Sequence, residues 1–347
     1  MSKILITGGA GFIGSHLVDS LIAEGNDVIV LDNLSTGKKE FIQHNFNNPR
    51  FRFYQADLLT NNIDKYFKNV DEVWHLAANP DTRTALKDTK VDIEQNILVT
   101  YKVLEAMRKN NINRIIFTSS STVYGEAKQV PTPEDYPCKP ISLYGASKLA
   151  CESLISAYVH TFDFNAVIFR LANIIGPRLT HGVIYDFIEK LKKNPNKLEI
   201  LGDGNQKKSY LYITDCIDGM LFTSRKVSNF EIFNLGSEDW ISVKEICEIV
   251  CKELNLTPRL EFGSNNRGWK GDIPLMLLDI SKIKQLGWKP KFNSKNTVML
   301  TVKIINKNVN ILWLKPTLAL LIKDLANIHL KRKSYTYEII LSLWLIL

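Results

Sequence analysis

Short apolar runs alternate with amphipathic stretches along the first half of the chain. Ile4-Leu5-Ile6 breaks into a glycine-rich turn at Gly8, and Val18, Leu21 and Ile22 follow at the i, i+3, i+4 spacing of a helix face. Val28–Leu31 reads as a second buried strand, ending at Asp32 and the turn-rich stretch Asn33-Leu34-Ser35-Thr36-Gly37. Further apolar runs occur at Phe51–Tyr54, Val70–Leu76, Arg114–Thr118 and Ala166–Arg170, with helical patterns at Asp92–Lys109 and Tyr144–Tyr158 between them. Strand and helix alternating at this spacing predict an α/β fold, a doubly wound parallel sheet covered on both faces. After about Pro177 turn clusters such as Gly202-Asp203-Gly204-Asn205 interrupt short strands and helices near Ile184–Lys193 and Val243–Leu254. That part predicts a smaller C-terminal α/β lobe over the carboxyl ends of the strands, where open α/β sheets bind ligands. The expected division is residues 1–176 for the sheet domain, with parts of the later chain returning to it, 177–303 for the lobe and 304–347 for an atypical tail.

Composition and charge remove several alternatives. A chain of 347 residues, 45% hydrophobic and 23% charged, is neither collagen-like, low-complexity nor wholly disordered. Of the formal charge of +8, all sits at the end: Lys289 to Leu347 hold ten Lys/Arg against Asp324 and Glu338, and residues 1–288 balance at 34 of each sign. A neutral body speaks against a nucleic-acid partner. Cys138, Cys151, Cys216, Cys247 and Cys251 form no CxxC pair and have no His at zinc spacing, so neither a disulfide framework nor a metal site is expected. Cys247 and Cys251, at i, i+4, read as small core residues. Lys3–Thr7 already reads as core, so no signal peptide is expected, and no run reaches the ~18 apolar residues of a membrane span. A cytoplasmic, reducing setting is the expectation.

Two constellations carry chemistry. Gly8-Gly9-Ala10-Gly11-Phe12-Ile13-Gly14 lies between a strand and a helix. Gly8 permits the tight turn, Gly11 lets backbone approach a pyrophosphate, Gly14 lets the helix pack closely, and the helix N-terminus offers amides to phosphate. This is the setting of a Rossmann-type dinucleotide site. Asp32, ending the next strand, fits ribose hydroxyls and repels a 2′-phosphate, which favours NAD. A strand-ending Asp that merely caps a turn is common, so the two features count together. The second constellation is Tyr144-Gly145-Ala146-Ser147-Lys148, whose Tyr and Lys share a helix face. A lysine ammonium near a phenol draws its pKa from about 10 towards neutrality, making Tyr144 a proton-transfer group. Upstream, Thr118-Ser119-Ser120-Ser121 ends an apolar strand with hydroxyls suited to holding a substrate oxygen, although strand-end turns use the same residues.

With these motifs the chain resembles the extended short-chain dehydrogenase/reductase family, the NAD-dependent epimerases and dehydratases of nucleotide sugars, and within it the UDP-glucose 4-epimerases. The resemblance covers about residues 1–303 and rests on Thr7–Gly14, Asp32–Leu34, Ala56–Leu58, His75–Ala78, Asn96, Ser119–Gly125, Tyr144–Lys148, Arg170–Arg178 and Tyr210–Asp215. It implies NAD contacts from Gly8, Gly11, Phe12, Ile13 and Gly14, from Asp32, Asn33, Leu34, Ser35, Thr36 and Gly37, from Asp57, Leu58, Leu76, Ala77, Ala78 and Ala172, and from Asn96, Tyr144 and Lys148. Asn96 is implied to support the active-site helix. The implied catalytic set is Ser120, Tyr144 and Lys148. Ser120, Tyr144, Asn173, Val183, Ile184, Glu199, Leu201, Lys208, Arg267 and Asp272 are the implied UDP-sugar contacts. The implied activity is 4-epimerisation of a UDP-hexose, UDP-glucose to UDP-galactose, by a homodimer joined through the Asp92–Lys109 and Tyr144–Tyr158 helices.

The chain also departs from the family pattern. Lys208 stands where many relatives carry a diphosphate-binding Arg, giving a point charge in place of a bidentate fork. The second phosphate Arg has its nearest counterpart in Arg267, and Arg83 follows the position at which some members place a Lys. A UDP-glucuronate or UDP-N-acetylhexosamine epimerase stays open. A dehydratase or decarboxylase loses ground because Ser119-Ser120-Ser121 replaces their acidic residues, and an NAD-binding regulator is opposed by the intact Ser120–Tyr144–Lys148 set. His75, Trp74 and Trp288 read as packed core residues, and Glu134 and Asp135 as a surface loop. In the tail, Leu318, Leu321, Ile322, Leu325 and Ile328 form a helical stripe, followed by Lys331-Arg332-Lys333 and the apolar Ile339–Leu347, an extension read as dispensable with surface membrane association as the minority reading.

Overall fold

The computed structural model describes residues 1–307. The stripe, the basic triplet and the apolar end of the tail lie outside the described residues. In chain order the first half forms β1 (Lys3–Thr7), α1 (Phe12–Ala23), β2 (Asp27–Asp32), β3 (Phe51–Gln55), β4 (Glu72–His75), α2 (Val99–Lys109), β5 (Arg114–Ser120), α3 (Leu143–Phe162) and β6 (Asn165–Leu171). Then come β7 (Asn173–Ile175), α4 (Val183–Lys193), β8 (Lys197–Ile200), β9 (Lys207–Lys208), β10 (Tyr210–Tyr212), α5 (Ile213–Lys226) and β11 (Glu231–Leu235). The described part closes with β12 (Ile241–Ser242), α6 (Val243–Glu253), β13 (Arg259–Phe262), β14 (Leu275–Met276), α7 (Ser281–Gln285) and a helix over 294–307.

Seven strands build one parallel sheet in the order β11-β6-β5-β4-β1-β2-β3. Its apolar runs are continuous because both faces are buried, and the pleat sorts them by parity. Ile4, Ile6, Val28 and Val30 face a core shared with Leu17, Val18 and Leu21 of α1 and Ile217 and Met220 of α5. Leu5, Ile29 and Leu31 face the opposite core with Val103, Leu104 and Met107 of α2 and Ile155 of α3. The strand order reverses direction between β1 and β4, which opens a crevice at their carboxyl ends.

The expected helix over 92–109 is not uniform. Residues Ile93–Leu98 form a π-helical turn before α2 begins. Such turns insert one extra residue into the ladder and gather at functional sites, and the 3.6-residue apolar period does not register them. The smaller lobe has its own core, in which Ile184, Phe187 and Ile188 of α4 meet Ile246, Cys247 and Val250 of α6 and Val298, Val302 and Ile305. The last helix therefore runs beyond Lys303. Ile305 is buried, and Asn306 Nδ2 donates to the Glu253 carbonyl at 3.3 Å.

Candidate active site

The crevice is a cavity of about 520 Å³ reaching from the β1–α1 turn to the smaller lobe. Gly8 enters the turn with φ of +71°, and a Cβ there would stand 2.7 Å from the Ala77 amide nitrogen. A Cβ on Gly14 would lie 2.2 Å from the Gly8 carbonyl oxygen, so only glycine lets α1 sit so close to the turn. The helix starts at Gly11 with no side-chain cap and no acid in its first turn. Its first amides are thus left to an anion in the cavity, which Gly8, Gly11, Phe12, Ile13 and Gly14 all line.

Asp32 stands beside them at the end of β2, buried, with Oδ2 accepting from Ala10 N at 2.9 Å and Oδ1 from Leu34 N at 2.8 Å. Burial raises its pKa and the two amide donors oppose the rise. Each oxygen keeps a further lone pair for a hydroxyl donor. Asn33, Ser35, Thr36, Leu58, Leu76, Ala77, Ala78 and Ala172 also line the cavity. Four expected contacts do not, Asn96 among them. Leu34 has φ of +61° and forms the turn through its backbone. A Cβ on Gly37 would meet Asp32 Oδ1 at 2.9 Å, which makes Gly37 a spacer behind the carboxylate. The Asp57 Oδ1 accepts from Leu59 N at 2.7 Å and serves its own turn.

Ser120, Tyr144 and Lys148 meet on the opposite wall. The Ser142 side chain caps α3 by accepting from Gly145 N at 3.1 Å, which starts the helix so that Tyr144 and Lys148 face β5. Lys148 is 3% exposed and its Nζ donates to the Thr118 carbonyl at 2.9 Å. The ammonium therefore binds the strand end, and the expected lowering of the phenol is reversed in this state. Burial pushes the Tyr144 pKa above the usual phenol range, with the Asp92 carboxylate adding to it and the Ser120 hydroxyl opposing it. Burial pulls Lys148 down, while Cys151, Glu152 and Asp92 act the other way.

Asn96, also expected as an NAD contact, lies outside the cavity walls, and its Nδ2 donates to Ser147 Oγ of α3 at 2.8 Å. His75 is fully buried between Thr7 Oγ1 at 2.7 Å and Thr100 Oγ1 at 3.0 Å. Burial, then the Lys148 charge, pulls its pKa down to about 3, so it is a packing histidine. Trp74 and Trp288 are core residues.

Towards the smaller lobe the cavity is lined by Asn173, Val183, Ile184, Leu201, Lys208 and Asp272. Lys208 is ion-paired with Asp272, whose Oδ2 also accepts from Gly268 N at 3.0 Å. Two expected contacts are placed elsewhere. Glu199 is exposed on β8 between buried Leu198 and Ile200, and Arg267 is ion-paired with Glu126 outside the cavity. Arg83 does line it, 3.3 Å from Asp81 and 3.8 Å from Asp186.

Behind the site runs a network that the motifs did not reveal. Arg170 NH2 donates to Glu152 Oε2 at 2.7 Å, and its NH1 donates to Tyr124 Oη and to the Glu134 carbonyl, both at 2.9 Å. Glu134 also accepts from Asn234 N at 2.9 Å, so it is a half-buried tie to β11 and not a free surface carboxylate. An arginine inside an apolar strand run requires a buried partner, and that was the readable signal. Among the described residues no cluster of His, Cys, Asp or Glu is placed to hold a metal ion, and no helix is long and apolar enough to cross a membrane.

A family model for the NAD dependent epimerase/dehydratase family matches residues 4–236. The chain belongs to this family. A candidate UDP-glucose 4-epimerase of Methanocaldococcus jannaschii is 37% identical over 312 residues, covering 88% of this chain and 99% of that protein. The crystal structure of a UDP-galactose 4-epimerase superposes with a TM-score of 0.80 at 40% identity, over 88% of this chain and 99% of the other. That of the Bacillus cereus UDP-glucuronic acid 4-epimerase, in complex with UDP-glucuronic acid and NAD, gives 0.81 at 32% identity with the same coverage. The chain is thus an extended short-chain dehydrogenase/reductase family member among UDP-sugar 4-epimerases, and the uncapped α1 terminus with the Asp32 carboxylate fits the family's dinucleotide.

Proposed function

We propose that this enzyme interconverts UDP-glucose and UDP-galactose at C4, with NAD resident and regenerated in each cycle. The observation that carries the reading is that Ser120, Tyr144 and Lys148 share one cavity with the Gly8–Gly14 turn and Asp32. Bound NAD supplies the acceptor, and then the donor, of the C4 hydride. The chain's own groups suit it: the uncapped amides of the α1 terminus would hold the diphosphate, and Asp32 would hold the adenosine ribose hydroxyls.

Tyr144 Oη takes the proton of the sugar's 4-hydroxyl and returns it after the 4-keto sugar has turned its other face. The Ser120 hydroxyl holds that oxygen against the phenol. Lys148 fixes the wall by its bond to the Thr118 carbonyl and brings a positive charge to it. Asn173 and Lys208 are placed to hold the substrate diphosphate, with Lys208 exchanging Asp272 for phosphate. Arg83 on the cavity wall is outnumbered by the two carboxylates beside it, Asp81 and Asp186, and that net negative wall supports a neutral hexose over a glucuronate. Exposed Ile93, Leu98, Tyr101 and Phe162 beside the α2–α3 pair support a homodimer through these helices. Five free thiols suit a reducing cytoplasm. Incubation with NAD and a panel of UDP-sugars, with product identification, tests the reading. Turnover of UDP-glucuronate in preference to UDP-glucose would replace it.

A further inference from the structure

The reading of Tyr144 as the proton-transfer group leaves one buried carboxylate beside it without a role. Asp92 is 1% exposed and immediately precedes the π-helical turn. Its Oδ1 accepts from Asn79 Nδ2 at 2.8 Å and from Asn96 Nδ2 at 3.3 Å, and its Oδ2 has no hydrogen-bond partner among the described residues. The Asn79 backbone N–H also donates to Asn96 Oδ1 at 2.8 Å. Through them Asp92 reaches the site from two sides. Asn79 lines the cavity, and Asn96 donates to Ser147 Oγ, which donates to the Tyr144 carbonyl at 2.8 Å.

A clamp of this shape needs an acceptor at Oδ1 but no charge, and burying a half-satisfied carboxylate is costly. The charges around it give that cost a use. The Asp92 charge pushes the Tyr144 pKa up and supports the Lys148 ammonium, and the Lys148 and Asp81 charges act on Asp92 in turn. Cys151 and Glu152 of α3 and His75 of β4 complete the titratable groups around Lys148. We propose that Asp92 is a positioning residue for the Tyr144–Lys148 pair, fixing the first turn of α3 through Asn96 and Ser147 and keeping a buried negative charge behind the pair.

The test is the alkaline ultraviolet titration of Tyr144 in the holoenzyme, isolated by subtracting the Tyr144→Phe protein, together with the pH profile of kcat/KM. Asp92→Asn keeps the Oδ1 acceptor and removes the charge. The Tyr144 titration and the acid limb of the profile are expected to move down by about one pH unit, the size of a nearby unit charge in a partly screened interior. Asp92→Ser also removes the charge, in a smaller side chain whose hydroxyl can accept from Asn79 or Asn96. It is expected to move both readouts the same way, and it decides the matter if Asp92→Asn does not fold. A structural role alone would lower the melting temperature without moving either. An active enzyme whose titration stays in place in the variants overturns the proposal and leaves the epimerase reading standing. An inactive wild type that shows the shift overturns the epimerase reading instead.

Discussion

Lys148 Nζ donates to the Thr118 carbonyl oxygen at 2.9 Å, joining the helix that carries Tyr144 to the strand that carries Ser120. The bond sets α3 against β5 and so fixes Tyr144 relative to Ser120.

Lys148→Ala leaves that carbonyl unpaired in a buried wall and removes the charge beside Tyr144. A fall in kcat of about 10²-fold or more is expected, the scale of lost acid–base assistance. Steady-state kinetics with a matched circular-dichroism spectrum check it. A variant with wild-type kcat would remove Lys148 from the mechanism.

In the proposed reading Asp32 sets the cofactor preference. In Asp32→Ser with Asn33→Arg the like charge facing a 2′-phosphate is gone and an opposite one is added, so binding of NADP relative to NAD is expected to rise. The same change costs about 1–3 kcal/mol of stability, because Ala10 N and Leu34 N lose their buried acceptor. Isothermal titration with both cofactors and a denaturant curve measure the two effects. Equal affinity of the unchanged protein for NAD and NADP would refute the role of Asp32.

His75 gives the fold an acid limit. Its pKa is held at about 3 in the fold, against 6.5 for an unhindered imidazole. The unfolded chain then binds the extra proton between those values, and the stabilisation present above pH 6.5 declines as pH falls towards 3. His75→Gln is expected to flatten the melting temperature between pH 6.5 and 4, although it lowers the value at pH 7. An unchanged pH slope would show that other groups set the limit.

Much of this site was legible, and the failures have physical causes. Apolar runs with glycine and YxxxK punctuation placed β1, β5 and α3, because buried parallel strands tolerate few polar residues and the motifs sit at their ends. Position along the chain did not reveal direction. Glu199 alternates with Leu198 and Ile200, so its outward orientation followed from the two-residue period, yet the family likeness outweighed it. Arg267 and Glu126 are paired across a large sequence separation, and only the folded chain brings them together. The phenol of Tyr144 reads as lowered from a lysine four residues on. The fold aims that lysine at Thr118, and burial, with the charge of Asp92 adding to it, pushes the phenol up.

The end of the smaller lobe also lies later than the likeness indicated. A chain ending at Lys303 lacks Ile305, which is 9% exposed in the lobe core, whereas one ending at Lys307 keeps it. The shorter chain is expected to be less stable by about 1.5–3 kcal/mol, the value of one buried aliphatic side chain. Thermal denaturation of the two truncations side by side checks this, and equal melting temperatures would return the boundary to Lys303.

The most direct measurement follows C4 stereochemistry in wild type and Tyr144→Phe, by nuclear magnetic resonance of UDP-glucose incubated with each NAD-loaded protein. Wild type should give a mixture of UDP-glucose and UDP-galactose from either sugar. Tyr144→Phe should bind UDP-glucose with near wild-type affinity and turn it over about 10²–10⁴-fold more slowly. No epimer from any UDP-hexose with folded, NAD-loaded wild type, or a loss below about tenfold in Tyr144→Phe, would contradict the account.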